Sequence, residues 1–129
     1  MRPVLPDSSW YIAEARGRRD PLLQLAEISK ARDIAVCGVV VAEVGRGILN
    51  RKALERFIES WASMCYVPSS QVIWAQTMEI AWQLDRSGRV LPLQDIHIAA
   101  CALAINAVVL TTDQHFHEIP GIDATDRIL

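Results

Sequence analysis

The sequence has few cysteines and no apolar run long enough for a membrane. Cys37, Cys65 and Cys101 are isolated in apolar surroundings with no CxxC pair, so we expect three buried thiols in a reducing cytosol. The longest apolar stretch, 96–110, is shorter than the roughly 20 residues that a membrane span needs. The first ten residues contain no apolar segment of signal-peptide length. These absences predict a cytoplasmic protein.

Several common catalytic motifs are also missing. The chain has no GxxxxGK[ST], GxGxxG or GxSxG, so neither a phosphate-cradling loop nor a serine hydrolase elbow is indicated. It has no internal repeat or linker, and its 129 residues predict a single domain over 1–129. The composition, 51% apolar and 22% charged with a net charge of -2, is that of a folded protein. Phosphate binding would therefore need local clusters of basic residues.

Two kinds of apolar pattern alternate along the chain. Short, continuous apolar runs are typical of strands that are buried on both faces, and longer stretches with helical spacing lie between them. This alternation predicts an α/β domain with a mainly parallel central sheet between helices. The predicted strands cover 3–6, 34–40, 65–68 and 107–112, and the main predicted helices cover 20–32, 51–64, 69–88 and 93–106.

The helix predicted over 69–88 is apolar on nearly two faces. One face carries Ile73, Ile80 and Leu84, which suffices for packing on a core, and the next carries a second apolar stripe. That stripe is either additional core or a surface for a second subunit or partner. It consists of Trp74, Met78 and Trp82.

Four acids stand where a functional crevice is expected. Ligands of open α/β sheets bind outside the carboxyl ends of the strands, and Asp7 and Asp113 each follow a predicted strand there. Glu43 lies one helical turn beyond its strand and is the only acid in a mostly apolar run, whereas Asp95 opens a helix. Taken singly, the three aspartates are explained as helix or turn caps.

If the four acids lie close together, they repel one another, which separate helix caps would not do. Carboxylates packed side by side raise one another's pKa values, so such a cluster is costly unless a cation binds it. All-oxygen ligation favours Mg²⁺ or Mn²⁺ over Zn²⁺. Such ions commonly activate water for attack on phosphate esters.

The segments "LPDSS", "VAEVGRG", "LQDIHIAACAL" and "LTTDQHF", in this order, resemble the acidic motifs of PIN-domain ribonucleases, in particular VapC-type toxins of toxin–antitoxin pairs. The resemblance implies a three-layer α/β/α domain and Mg²⁺- or Mn²⁺-dependent endonucleolytic cleavage of RNA by a metal-activated water. It also implies frequent homodimerisation and inhibition by a cognate antitoxin protein. By position, the metal-binding catalytic acids are Asp7, Glu43, Asp95 and Asp113, with Ser8, Ser9 and Thr111 as supporting polar residues. The fourth acid varies in the family, so Asp113 is either a ligand or a support.

Two further groups of residues have a functional interpretation beside a structural one. His115 and His117 form an HxH that could bind a transition metal, but two histidines without a third partner are more often surface or turn residues. A basic rim is either a solvated surface or a contact for RNA phosphates or an antitoxin. It comprises Arg16, Arg18, Arg19, Arg46, Arg51 and Lys52.

Two alternatives of another class are weighed against a nuclease. One is a catalytically silent PIN-like module that binds RNA or protein, against which the intact acids argue. The other is a phosphatase-type or receiver-type domain with Asp7 as nucleophile. The phosphatase would need an acid where Ser9 stands, and the receiver an acidic pair before Asp7, where Val4, Leu5 and Pro6 stand.

Overall fold

The structure, a computed structural model, describes residues 1–128 and has a parallel β-sheet at its centre. Hydrogen bonding forms two strand groups, one with the order β1-β4-β5 and one with the order β2-β3. A parallel bridge between Val4 and Ile34 joins them, so the strand order is β3-β2-β1-β4-β5 and every pairing is parallel. The strands are β1 (Val4–Pro6), β2 (Ala35–Cys37), β3 (Cys65–Val67), β4 (Val108–Leu110) and β5 (Ala124–Thr125).

Within residues 1–128, six α-helices flank this sheet, and the predicted three-layer α/β/α fold is confirmed. Most connections between successive strands contain helices, which parallel strands require because their ends lie at opposite edges of the sheet. Two short 3-10 helices, Trp61–Ser63 and Gln114–Glu118, complete the set. The α-helices are α1 (Ser8–Arg16), α2 (Pro21–Ile28), α3 (Gly38–Arg46), α4 (Arg51–Ser60), α5 (Gln71–Arg86) and α6 (Leu93–Ala104). No helix among residues 1–128 has the length and apolar character needed to cross a membrane.

Local sequence signals account for several helix ends. Asp20 caps α2 by accepting a hydrogen bond of 2.9 Å from the Leu22 amide, and Pro21 occupies the first helical position. Ser70 caps α5 in the same way through the Ile73 amide. Gly88, beyond the end of α5, adopts φ +84°, a conformation that costs glycine little. These predicted boundaries are confirmed.

Helix α6 forms the most buried helical surface of the domain. Its residues Ile96, Ile98, Ala99 and Ala102 are each at most 2% exposed. Its alanines let neighbouring elements approach closely, and α5 packs along it. Burial of this face holds the first turn of α6, which carries Asp95, in a fixed place beside the sheet.

Helix α5 has the two faces that the sequence predicted. Ile73, Thr77, Ile80 and Leu84 are buried. The second stripe is solvent-exposed in the single chain, although the Trp74 ring stacks on the buried His97 at a centroid distance of 3.8 Å, so core packing accounts for only part of it. Its exposed fractions are 47% for Trp74, 65% for Met78 and 54% for Trp82.

Three features differ from the sequence prediction. The strand predicted over 34–40 ends at Cys37, and α3 begins at Gly38, because the following valines pack one helical face into the core and this packing outweighs their β propensity. As a result, Glu43 lies within α3, more than one helical turn beyond the end of β2. Strand β5 was not predicted because two residues carry no readable pattern. Cys65 is exposed, whereas Cys37 and Cys101 are buried as expected.

Candidate metal centre

Asp7 and Asp113 lie at the carboxyl edge of adjacent strands. Asp7 directly follows β1, and its amide donates to the carbonyl of Leu110 at the end of β4, over 3.0 Å. Asp113 follows β4 by three residues. Because β1 and β4 are parallel neighbours, both aspartates are delivered to the same edge of the sheet, as the rule for open α/β sheets predicts.

Asp7 is a buried carboxylate with a full set of hydrogen bonds. Its Oδ1 accepts from the Trp10 amide at 3.1 Å and from Ser9 Oγ at 2.7 Å, and its Oδ2 accepts from Thr111 Oγ1 at 2.8 Å. Burial nevertheless raises the pKa of Asp7 above its ordinary value, and the negative charge of Asp95 raises it further. The predicted helix cap is therefore present, and it coexists with an unfavourable electrostatic environment.

The hydroxyls of Ser9 and Thr111 tie the start of α1 to the segment after β4. Each has one proton, and each donates it to Asp7. As acceptors, Ser9 Oγ binds the Thr112 amide at 3.1 Å and Thr111 Oγ1 binds the Asp113 amide at 2.9 Å. The positions of the first and fourth acids are thus coupled through two hydroxyls, each of which donates to Asp7 and accepts from a backbone amide.

Asp95, Asp113 and His115 form the tightest group of potential metal ligands among residues 1–128. One ligand atom from each lies within 4.8 Å of the others. His115 Nδ1 is 3.0 Å from Asp95 Oδ2 and 3.3 Å from Asp113 Oδ1. Burial raises the pKa of Asp95, and the charge of Asp113 adds to this. The hydrogen bond to Asp95 raises the pKa of His115.

His115 belongs to the ligand group, although the sequence did not predict it to lie with the four acids. The HxH pattern treated its two histidines alike, but the exposed His117 has no place in the ligand group. The available signal was the spacing from Asp113: the Asp113 side chain accepts from the His115 amide at 3.0 Å, and this cap places the backbone of His115 beside the acids. A surface or turn role alone is therefore incomplete for His115.

Glu43 reaches the same region from a different element. It is half-buried in α3, and Ser8 Oγ donates to its Oε1 over 3.1 Å. This bond links α3 to the first residue of α1, directly after Asp7. Within residues 1–128, neither Glu43 nor Asp7 belongs to the group whose ligand atoms lie within 4.8 Å of one another.

The donor chemistry of this region fits a divalent cation. Asp7 and Asp95 both have raised pKa values, and each is raised partly by a neighbouring carboxylate. Such repulsion is relieved when a cation shares the carboxylates. A set of oxygen donors with one imidazole nitrogen beside them suits Mg²⁺ or Mn²⁺. It suits Zn²⁺ less well, because zinc sites are compact sets of His and Cys ligands.

The predicted basic rim is entirely exposed and follows α1, α3 and α4. Two of its members are engaged in ion pairs, Arg19 with Glu14 at 2.7 Å and Arg51 with Glu55 at 3.5 Å. Such exposed pairs are weak, so the arginines remain able to meet other anions. The rim residues are Arg16, Arg18, Arg19, Arg46, Arg51 and Lys52.

Similar proteins share this fold. VapBC2 from Rickettsia felis, bound to a DNA fragment from its promoter, has a TM-score of 0.78 and 19% identity over 95% of this chain and 97% of that chain. A toxin-antitoxin complex from Klebsiella pneumoniae has a TM-score of 0.73 and 20% identity over 98% and 99%. Mycobacterium tuberculosis VapC20, a sarcin-ricin loop cleaving toxin, has a TM-score of 0.62 and 13% identity over 89% and 93%.

Sequence identities this low establish a common fold and nothing finer. No curated protein matches the sequence significantly. The family model of the PIN domain, however, matches residues 4–122, a range that includes strands β1 to β4 and all six α-helices. On this match, the chain belongs to the PIN-domain family.

Proposed function

We propose that the protein is a Mg²⁺- or Mn²⁺-dependent endoribonuclease and the toxin of a toxin–antitoxin pair. The observation that carries this proposal is the packing of Asp7, Asp95 and Asp113 at one edge of the sheet, with the pKa values of Asp7 and Asp95 raised. Mutually repelling carboxylates destabilise the folded protein unless a cation binds between them. The fold relatives supply the substrate class and the partner.

The side chains divide the work of such a site. Asp95 and Asp113 would hold the cation, and Asp7 and Glu43 would complete the acidic surroundings of the site. When bound, the divalent cation supplies Lewis-acid chemistry toward a phosphodiester and the attacking water. Ser9 and Thr111 fix the Asp7 carboxylate by donating to both of its oxygens, and Ser8 orients Glu43. No side chain is required as a nucleophile.

Substitution of Asp95 tests this proposal more cleanly than substitution of Asp7. Asp7 caps α1, whereas α6 has Pro92 at its N-cap and takes no capping bond from Asp95. We expect Asp95→Asn to slow metal-dependent RNA cleavage roughly 100-fold or more, because removing even a partner of a metal ligand costs about 10- to 100-fold. Asp85→Asn, the same change at an exposed position of α5, is the matched control.

The assay compares the purified proteins on RNA with added Mg²⁺ or Mn²⁺ and after chelation. Wild type and Asp85→Asn should cut at equal rates that chelation abolishes. Equal cutting by Asp95→Asn would contradict the mechanism. Metal-dependent RNA binding without turnover by the wild type would instead identify a silent binding module.

The basic rim is the proposed contact for RNA phosphates. Its side chains are exposed on the surface formed by α1, α3 and α4, and a locally basic surface is what a chain of net charge -2 needs to attract a polyanion. Each lost phosphate contact should reduce the salt dependence of RNA binding. Reversal of Arg46 and Lys52 to Glu should therefore weaken binding and flatten its salt slope.

An apolar groove of about 300 Å³ is the proposed contact for the antitoxin. It lies between α1, α2, α3 and α4, and Glu43 lies in its wall, so the groove is continuous with the acidic region. An antitoxin segment with apolar side chains would fill it and cover access to the carboxylates. The apolar residues of the groove include Tyr11, Ile12, Leu22, Val44, Ile48 and Phe57.

The exposed stripe of α5 is the proposed homodimer surface. Trp74, Met78 and Trp82 are about half or more exposed, although each would gain from burial. A two-fold dimer brings the same patch of both subunits together, and an apolar patch is complementary to itself. We propose that a second copy of this chain covers this stripe.

We also propose a cytoplasmic location for the protein, because RNA and an antitoxin would both be present there.

A further inference from the structure

His115 is held at the acidic site by its backbone and not only by its ring. It belongs to the 3-10 helix Gln114–Glu118 that Asp113 caps, and its amide donates to Asp113 Oδ1 over 3.0 Å. The buried Phe116 anchors the next residue of this turn. The backbone of His115 is therefore fixed beside the two carboxylates, and its side chain, 41% exposed, contacts both of them through Nδ1.

Two of the three ligand spacings, from His115 to Asp95 and from His115 to Asp113, match neighbouring positions of a metal coordination shell, and all three ligand atoms lie within 4.8 Å of one another. Ligands that lie about 2.1 Å from an ion at right angles to one another are about 3.0 Å apart. His115 Nδ1 lies 3.0 Å from Asp95 Oδ2 and 3.3 Å from Asp113 Oδ1. An ion could therefore contact all three atoms after small shifts, with the ring proton on Nε2.

We propose that His115 is a nitrogen ligand of the cation held by Asp95 and Asp113, and that the site consequently prefers Mn²⁺ to Mg²⁺. This inference rests on the cation site of the proposed function and adds a ligand and an ion preference to it. Mg²⁺ takes oxygen ligands and retains its waters, whereas transition-metal ions accept imidazole readily. A nitrogen among the oxygens therefore discriminates between two ions that carboxylates alone treat similarly.

Pulsed electron paramagnetic resonance of bound Mn²⁺ detects nitrogen ligation directly. In protein with nitrogen-15-labelled histidine, we expect hyperfine coupling from one imidazole in the wild type. His115→Gln should abolish this coupling. His117→Gln, the same change at the exposed histidine two residues away, should preserve it and is the matched control.

Calorimetric titration measures the second part of the proposal. We expect His115→Gln to weaken Mn²⁺ binding about tenfold or more and to leave Mg²⁺ binding nearly unchanged. Thermal unfolding of the metal-free variants checks that both remain folded.

Three results would overturn the inference in different ways. Bound Mn²⁺ without nitrogen-15 coupling in the wild type means that the ring is not a ligand. An equal gain in affinity for both ions in His115→Gln means that the ring occupies the cation's place and must be displaced. Asp95→Asn that binds Mn²⁺ as tightly as the wild type removes the cation site itself, and with it the proposed function.

Discussion

Replacement of Thr111 by valine isolates the hydroxyl that connects the first and fourth acids. Thr111 is 2% exposed, and its hydroxyl donates to Asp7 Oδ2 and accepts from the Asp113 amide, over 2.8 and 2.9 Å. Valine has nearly the same shape but can make neither bond. The change therefore leaves a buried carboxylate oxygen without its donor and an amide without its acceptor.

The expected loss of stability follows from these two contacts. Hydrogen bonds to charged groups contribute roughly 1.5–3 kcal/mol, so we expect Thr111→Val to lower the free energy of unfolding by about 2 kcal/mol. For a domain of this size, about 1 kcal/mol corresponds to about 4 °C, which gives a fall in Tm of about 8 °C. Thr112→Val, at the exposed neighbouring position, should change Tm by little.

The assay is thermal and urea unfolding of the metal-free proteins at neutral pH. A double-mutant cycle with Asp7→Asn then assigns the loss to the contact with Asp7. We expect a coupling energy of about 1 kcal/mol, since residues in one hydrogen-bond network are not additive. Equal Tm values for Thr111→Val and Thr112→Val, or no coupling to Asp7→Asn, would refute the reasoning that Thr111 supports the buried acid.

Two other predictions concern residues outside the acidic group. Desolvation lowers the pKa of the buried His97, so its contribution to stability is present above its unfolded pKa of about 6.5 and is lost as pH falls. The difference in unfolding free energy between wild type and His97→Gln should therefore shrink on acidification. A difference that is independent of pH would contradict this. Met78→Glu, in the middle of the exposed α5 stripe, should convert a dimer to a monomer in sedimentation velocity. Leu23→Glu, at a comparably exposed leucine of α2, should leave the dimer intact. A wild-type protein that is monomeric at high concentration would contradict the dimer proposal.

Whether an element of the fold can be predicted from the sequence depends on how clearly its local pattern distinguishes a helix from a strand. Helix α5 could be predicted with both ends because sixteen residues repeat a buried face between a serine cap and a glycine. The segment 34–40 could not, because a run of β-branched residues has the same appearance in a buried strand and in a helix packed on one face. Gly38, where the strand gives way to α3, carries no distinguishing local signal. Only the packing of α3 against the core decides the boundary.

The candidate site shows the same limit in chemical terms. The acids could be found from sequence because a carboxylate beside an apolar strand is costly and so stands out. The imidazole of His115 could not, because histidine is common in turns and its partner Asp95 is 20 residues away in the chain. The proximity of the two depends on the place where α6 begins and on the turn after β4, which no local pattern records.

The sequence offers a turn cap and an ion ligand as alternative roles for Asp113, but in the structure one carboxylate oxygen is close to both nitrogens that these roles involve. The same Oδ1 that accepts the His115 amide, and so caps the 3-10 helix, lies 3.3 Å from His115 Nδ1. Capping therefore fixes the His115 backbone at a place from which the ring reaches Asp95. A substitution that preserves the cap, such as Asp113→Asn, should keep the turn while it removes a charge from the site. The loss of ion binding without loss of the turn would separate the two roles, because only the charge distinguishes them.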